Sequence, residues 1–227
     1  MFSKLYLPTR DLALLKLLLM ELLSLLLGLA FIHIGSEVLE GDTLSVDQNV
    51  LQAAQRLRLA YPWVVSAMRD LSGLGSTMAL ALFTIATVGY LLLASQRITA
   101  ILVAATVLTG SALNSAFKLI YGRLRPDPAF SDFAVSGLSF PSGHASMSAI
   151  VFLTLGVLVA SRHTRLRERT YILTVSMVLT LLVGVSRIAL GVHWTSDVLG
   201  GWAFGTAWAM AWLVLARQAT ARALHQT

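Results

Sequence analysis

The sequence predicts an all-α polytopic membrane protein: six transmembrane helices in one bundle, with a short amphipathic extracytoplasmic segment between the first two. Three observations predict it. Hydrophobic residues make up 56% of the 227 and charged ones only 12%, where an ordinary soluble domain carries about twice that charged fraction. Six apolar runs are each long enough to cross ~30 Å of hydrocarbon as helix. No period-2 alternation points to a membrane barrel instead. Six spans use most of the length, so residues 1–227 are expected to form a single domain.

The runs fall at roughly 12–36, 76–95, 98–118, 142–160, 170–189 and 197–216. The first follows Lys4 and Arg10 but is too long for a signal-peptide core and lacks a small-residue cleavage site, so it reads as a retained span. The longest polar stretch, Glu37 to Gly75, separates the first two spans. Val50, Leu51, Ala54 and Leu57 recur there at helical spacing, with Arg56 and Arg58 facing elsewhere. This is the pattern of an amphipathic helix lying at the membrane surface or packed on the bundle, broken near Pro62.

Lys4, Arg10, Arg97, Arg162, Arg165, Arg167, Arg169, Arg217 and Arg222 all belong to one side of this topology, and most acidic residues to the other. The positive-inside rule puts both termini in the cytoplasm. The net charge of +6 therefore serves topology and anionic headgroups, not nucleic acid; the basic loop SRHTRLRER has no aromatic platform beside it. The absence of cysteine excludes thiolate chemistry and a disulfide framework.

The opposite side gathers the chemistry. Span three runs out in KLIYGRLRP, with Lys118, Arg123 and Arg125. Span four begins at PSGH, from Pro141 to His144. Span five ends at Ser186 and Arg187, and span six is entered through His193 and Asp197. Cations grouped at one mouth suit a phosphate-like anion, arginine by its forked donors and lysine as a point charge. Ser142 and Gly143 can present amides at the positive end of a helix. Asp197 follows His193 by four residues, one helical turn, so its carboxylate can hold one imidazole nitrogen and leave the other to attack phosphorus. His144, from another helix, can then protonate the leaving group.

These three stretches resemble the signatures of the type 2 phosphatidic acid phosphatase family, K-x6-R-P, P-S-G-H and S-R-x5-H-x3-D, with every fixed position matched in order across Lys118 to Asp197. The resemblance implies phosphate binding by Lys118, Arg125, Arg187, Ser142 and Gly143, with His144 as acid, His193 as nucleophile and Asp197 as its partner. Tyr121, Arg123, Ser186 and Trp194 receive no role from it.

It further implies hydrolysis of a lipid phosphomonoester or diphosphate through a phosphohistidine, with no metal or other cofactor. No carboxylate-rich cluster of the kind a two-metal site needs lies beside the histidines. The expected partners are a membrane lipid phosphate and the bilayer; oligomeric state is unread. The expected location is a bacterial inner membrane, with the active site facing the periplasm or cell exterior. Undecaprenyl diphosphate heads the candidate substrates, ahead of phosphatidylglycerophosphate and phosphatidic acid. The alternatives are a phosphotransferase of the same architecture, an anion transporter, and the soluble vanadium haloperoxidase branch that shares the signatures. A transporter calls for polar groups through the bilayer depth, and spans two to six are nearly uncharged below the mouth.

Overall fold

A computed structural model describes residues 9–131 and 135–225. Among the described residues the secondary structure is helical throughout: α1 (Thr9–Glu40), α2 (Leu44–Ala60), α3 (Trp63–Leu74), α4 (Thr77–Leu93), α5 (Arg97–Tyr121), α6 (Gly143–Ala160), α7 (Leu166–Ala189) and α8 (Thr195–His225), with one 3-10 turn at Pro128–Phe130. Among the described residues six stretches are long and apolar enough to span a membrane, five of them close to the expected runs.

The second span differs. It runs over Trp63–Leu93 and is broken at Gly75 and Ser76, where the Ser76 hydroxyl accepts the Ala79 amide and starts α4 afresh. The segment before Gly75 is thus apolar wall, not only surface connector. The sequence hid this because Arg69 and Asp70 interrupt the run.

The face of α2 also differs from expectation. Its buried residues are Asp47, Leu51 and Arg58, one stripe at helical spacing, whereas Leu57 is exposed. Arg58 does not face away: its guanidinium donates to the carbonyls of Ala189 and Phe130. The free carbonyls at the end of a helix such as α7 attract a cation, which offsets the cost of burying one.

Packing centres on α6. Over half of its spanning window is buried, against 6% for α1, whose Leu18, Leu22, Leu25 and Ile32 stay exposed as a lipid-facing surface should. Small residues let α6 and α8 approach closely. A Cβ on Gly205 would lie 2.4 Å from the Ser146 carbonyl oxygen, and one on Gly201 would lie 2.9 Å from that of Ser142. Gly205→Leu is therefore expected to cost about 1–3 kcal/mol or more through overpacking, seen as a lower melting temperature in detergent; an unchanged melting temperature would show that the two helices can separate freely.

An aromatic cluster lies beneath the polar end. Phe31 of α1 meets Phe117 of α5 at 4.8 Å between ring centroids, Phe117 meets Phe204 of α8 at 5.2 Å, and Tyr121 meets Phe140 at 4.7 Å. Phe140 is fully buried. Its packing fixes the loop that bears Ser139 and Ser142.

Candidate active site

Five short pieces of chain deliver the polar groups. Lys118 sits in the last turn of α5, with Arg123 and Arg125 just beyond the helix end. Ser142 is the residue before α6, so Gly143 and His144 occupy that helix's first turn. Arg187 lies in the last turn of α7, and Asp197 in the first turn of α8. His193 is held in the turn between them, entered through Gly191 at φ +72°. A Cβ at Gly191 would lie 1.9 Å from the Phe130 carbonyl oxygen, so this turn requires glycine for its backbone conformation and for space.

His193 and Asp197 are both almost wholly buried, with Nδ1 3.2 Å from the carboxylate Oδ2. On the other side of the ring, Nε2 lies 2.9 Å from Nη1 of Arg125. Guanidinium only donates and an ionised carboxylate only accepts, so both contacts together demand the tautomer with hydrogen on Nδ1 and a lone pair on Nε2. Burial pushes the His193 pKa down to about 4, assisted by Arg125 and Arg187 and opposed by the hydrogen bond and charge of Asp197. The ring is accordingly neutral at physiological pH, the state a nitrogen nucleophile needs.

Asp197 is held by four donors. Oδ2 accepts the His193 N–H, the Trp194 backbone amide at 3.0 Å and the Ser139 hydroxyl, while Oδ1 accepts Nη1 of Arg123 at 2.8 Å. The Trp194 bond is the reach-back of a helix's third residue to its cap. Asp197 thus caps α8 and faces His193 through one carboxylate.

The remaining expected residues gather around this pair. His144 is within electrostatic reach of Arg187, His193, Arg125 and Lys118. The Ser142 amide donates to the Asp197 backbone carbonyl at 2.9 Å, which ties the start of α6 to the start of α8. Lys118 donates to the carbonyls of Leu138 and Ser139 at 2.7 and 3.1 Å, and Arg125 to those of Gly137 and Val192 at 3.1 and 2.8 Å. The cations therefore also shape the loops that surround the histidines. The Ser142 hydroxyl and Nε of Arg187 are buried without a protein partner. Unpaired polar atoms at such depth are costly, and these two, one at the start of α6 and one in the last turn of α7, suit an anionic ligand.

Four contributors were not legible as site residues. Ser139 binds Asp197. Ser72 of α3 accepts Nη1 of Arg187 at 2.6 Å and is buried with it. Gly75 leaves room beside His144, since a Cβ there would stand 3.4 Å from that ring and 2.3 Å from Val183. Asp47 of α2 binds Arg123 and Ser196. The one available signal for Asp47 was its place one helical turn before Leu51 of the expected apolar face; nothing in the sequence marked Ser72. Residues without an expected role also find their place. Trp194 covers Arg123 at 5.4 Å and donates to the Leu124 carbonyl at 3.0 Å. Ser186 bonds back to the Val183 carbonyl at 2.6 Å, and Tyr121 belongs to the aromatic cluster.

The sequence pattern of the PAP2 superfamily matches residues 99–221, from the start of α5 through α8, the stretch that supplies both histidines, Asp197 and the three expected cations. The chain belongs to the PAP2 superfamily. Among relatives of this PAP2 chain, phosphatidylglycerophosphatase B of Bacillus subtilis (strain 168) is 30% identical over 183 residues, 79% of this chain and 87% of that protein. Decaprenylphosphoryl-5-phosphoribose phosphatase of Mycobacterium tuberculosis is 30% identical over 159 residues, 69% of this chain and 82% of that one. In three dimensions the chain is similar to the crystal structure of a transmembrane PAP2 type phosphatidylglycerolphosphate phosphatase from Bacillus subtilis. The TM-score is 0.77 at 26% identity, covering 86% of this chain and 96% of that one. With six apolar spans, this PAP2 chain is a multi-pass membrane protein of the lipid phosphatase class.

Proposed function

We propose that the chain hydrolyses a lipid phosphomonoester or diphosphate by way of a phosphohistidine on His193, at the extracytoplasmic face of a bacterial inner membrane. The observation that carries this is the His193 ring, held by Asp197 on one nitrogen and presenting the lone pair of the other to Arg125. That arrangement suits in-line attack on a phosphoryl group, with Arg125 transferring its hydrogen bond from the ring to a phosphoryl oxygen.

In the first step, Nε2 of His193 bonds to phosphorus and the bond from phosphorus to the lipid oxygen breaks. The electron pair goes to that oxygen, which takes a proton from His144. The ring gains positive charge, which Asp197 offsets through the Nδ1–H. Lys118, Arg125, Arg187, the Ser142 hydroxyl and the first amides of α6 hold the phosphoryl oxygens. In the second step water loses a proton to His144 and attacks phosphorus, the phosphorus–nitrogen bond breaks, and inorganic phosphate leaves with His193 restored. No step calls for a metal, and the carboxylates of Asp197 and Asp47 are both bound to Arg123.

Orientation follows from the basic residues. Arg97, Arg162, Arg165, Arg167 and Arg169 lie at or between the ends of α5, α6 and α7 remote from the site, which supports a site outside and both termini inside. Lys4 lies outside the described residues, as do the side chains of Arg10, Arg217 and Arg222. The six spans and the site form one domain over residues 1–227.

The relatives act, by name, on a glycerophospholipid phosphate and on a polyprenyl-linked phosphate. Undecaprenyl diphosphate, phosphatidylglycerophosphate and phosphatidic acid are therefore the substrates to compare. Purified full-length protein is expected to release phosphate from at least one of these without added acceptor, in the presence of excess EDTA. Release only when a second lipid acceptor is supplied would identify a phosphotransferase, and loss restored only by Mg²⁺ would overturn the metal-free reaction.

A further inference from the structure

Asp197 does not stand alone behind His193. Nη1 of Arg123 donates to its Oδ1 at 2.8 Å, and Nη2 donates to Oδ2 of Asp47 at 2.7 Å. The Asp47 side chain is 1% exposed, that of Asp197 0% and that of Arg123 9%. Asp47 also accepts the Ser196 amide at 2.9 Å and the Ser196 hydroxyl at 2.5 Å, while Nη1 of Arg123 reaches that same hydroxyl at 2.7 Å. Trp194 covers the guanidinium, and Thr43 accepts from it at 3.3 Å. The result is a buried row, Asp47, Arg123, Asp197, His193, joining α2 to the turn that carries the imidazole.

We infer that Asp47 and Arg123 are positioning residues for the reaction proposed above, which orient the Asp197 carboxylate and set the charge it presents to His193. Geometry supplies the first half: a guanidinium forked between two buried carboxylates fixes the direction of each. Charge supplies the second. One cation between two anions leaves the row with one net negative charge, enough to stabilise the ring when it becomes cationic on attacking phosphorus. An Arg123–Asp197 pair alone would be neutral and would give the cationic ring less support. A structural purpose for Asp47, capping the first turn of α8 through the Ser196 amide, is also served, so the test must separate the two.

The two purposes differ in how His193 titrates. The ring is faced by Asp197 from α8, Arg125 from the extension of α5, His144 from α6 and Arg187 from α7, with Lys118 beside Arg125, Asp197 and Arg187. In the unaltered protein the acid limb of kcat/KM, corrected for the substrate's own ionisation, is expected well below an ordinary histidine value, near 4. Arg123→Gln removes the cation and leaves two anions, so the imidazolium gains support and the limb moves to higher pH. Asp47→Asn removes an anion and moves it to lower pH. The double variant D47N/R123Q, with no buried charge left unpaired beyond Asp197, returns toward the original limb and guards against failure of the Arg123 variant to fold.

The experiment takes full-length protein in detergent, each variant checked for its melting temperature, and the fastest of the three lipid phosphates above. Asp47→Asn is expected to lower kcat roughly 10- to 100-fold, as loss of a group orienting a catalytic histidine does, with KM within about threefold. Opposite displacements of the limb by the two single variants, with the double between them, support the inference. Limbs that stay in place or move the same way in both overturn it and leave the phosphatase reading intact, provided the unaltered protein releases phosphate. Failure of the unaltered protein to release phosphate from any of the three sinks both.

Discussion

Replacing His193 by alanine is expected to lower phosphate release by at least about a thousandfold, the scale on which removal of an activated nucleophile acts, while leaving the fold intact. The expectation rests on the absence of an understudy. His144 is the other described histidine at the site, but Asp197 stays held by Ser139, the Trp194 amide and Arg123 without the ring, so it does not turn to orient His144 as a second nucleophile. The cavity left by the ring is bounded by the donors of Asp197, of which Ser139, the Trp194 amide and Arg123 all remain. The α8 cap therefore survives, and melting in detergent should fall little. Brief reaction with lipid carrying labelled phosphate, quenched in base, should leave label on the unaltered protein and none on the variant. Substantial turnover by the variant, or label retained on it, would remove His193 from the nucleophile's role.

Replacing His144 by alanine should act unequally on two kinds of substrate. When a phosphomonoester is cleaved, the departing group is an alkoxide, which leaves only with a proton; loss of a positioned acid then costs about 10²–10⁴-fold. When a diphosphate is cleaved, the departing group is a lipid phosphate whose second pKa is about 6, so it departs as an anion at neutral pH without help. The first turnover, followed by release of the lipid product before water attacks, isolates this step from the second, in which His144 acts as base for either substrate. Equal losses on both substrates in that first turnover would show that His144 serves to bind phosphate and not to protonate the leaving group. Its position at the start of α6, within reach of Arg187, Arg125 and Lys118, makes the comparison informative, because a binding role would weaken both substrates alike.

Much of this architecture was legible in the chain alone, for a physical reason. A helix that crosses hydrocarbon must satisfy its backbone internally and face lipid with apolar side chains, so length and hydropathy locate the spanning stretches of α1, α5, α6, α7 and α8 closely. Polar residues at the ends of such runs are costly, which made Lys118, Arg125, His144, Arg187, His193 and Asp197 conspicuous against an apolar background. The four-residue spacing of His193 and Asp197 was enough to predict their contact because both lie at the start of one helix, where sequence distance is spatial distance.

What required the tertiary structure is everything that joins segments distant in sequence. Asp47 and Asp197 are 150 positions apart and share one guanidinium; Ser72 and Arg187 are 115 apart and share one hydrogen bond. An acidic residue in a polar connector looks solvated until a fold buries it, and Arg58 looked solvated until α2 turned it toward the end of α7. The continuation of the second span before Gly75 was hidden for a related reason, since a glycine that leaves space for Val183 inside a span is indistinguishable in sequence from one that merely ends a helix. Local spacing and hydropathy determine which groups stand at the membrane's edge; the closing of the bundle decides which of them hold one another in place.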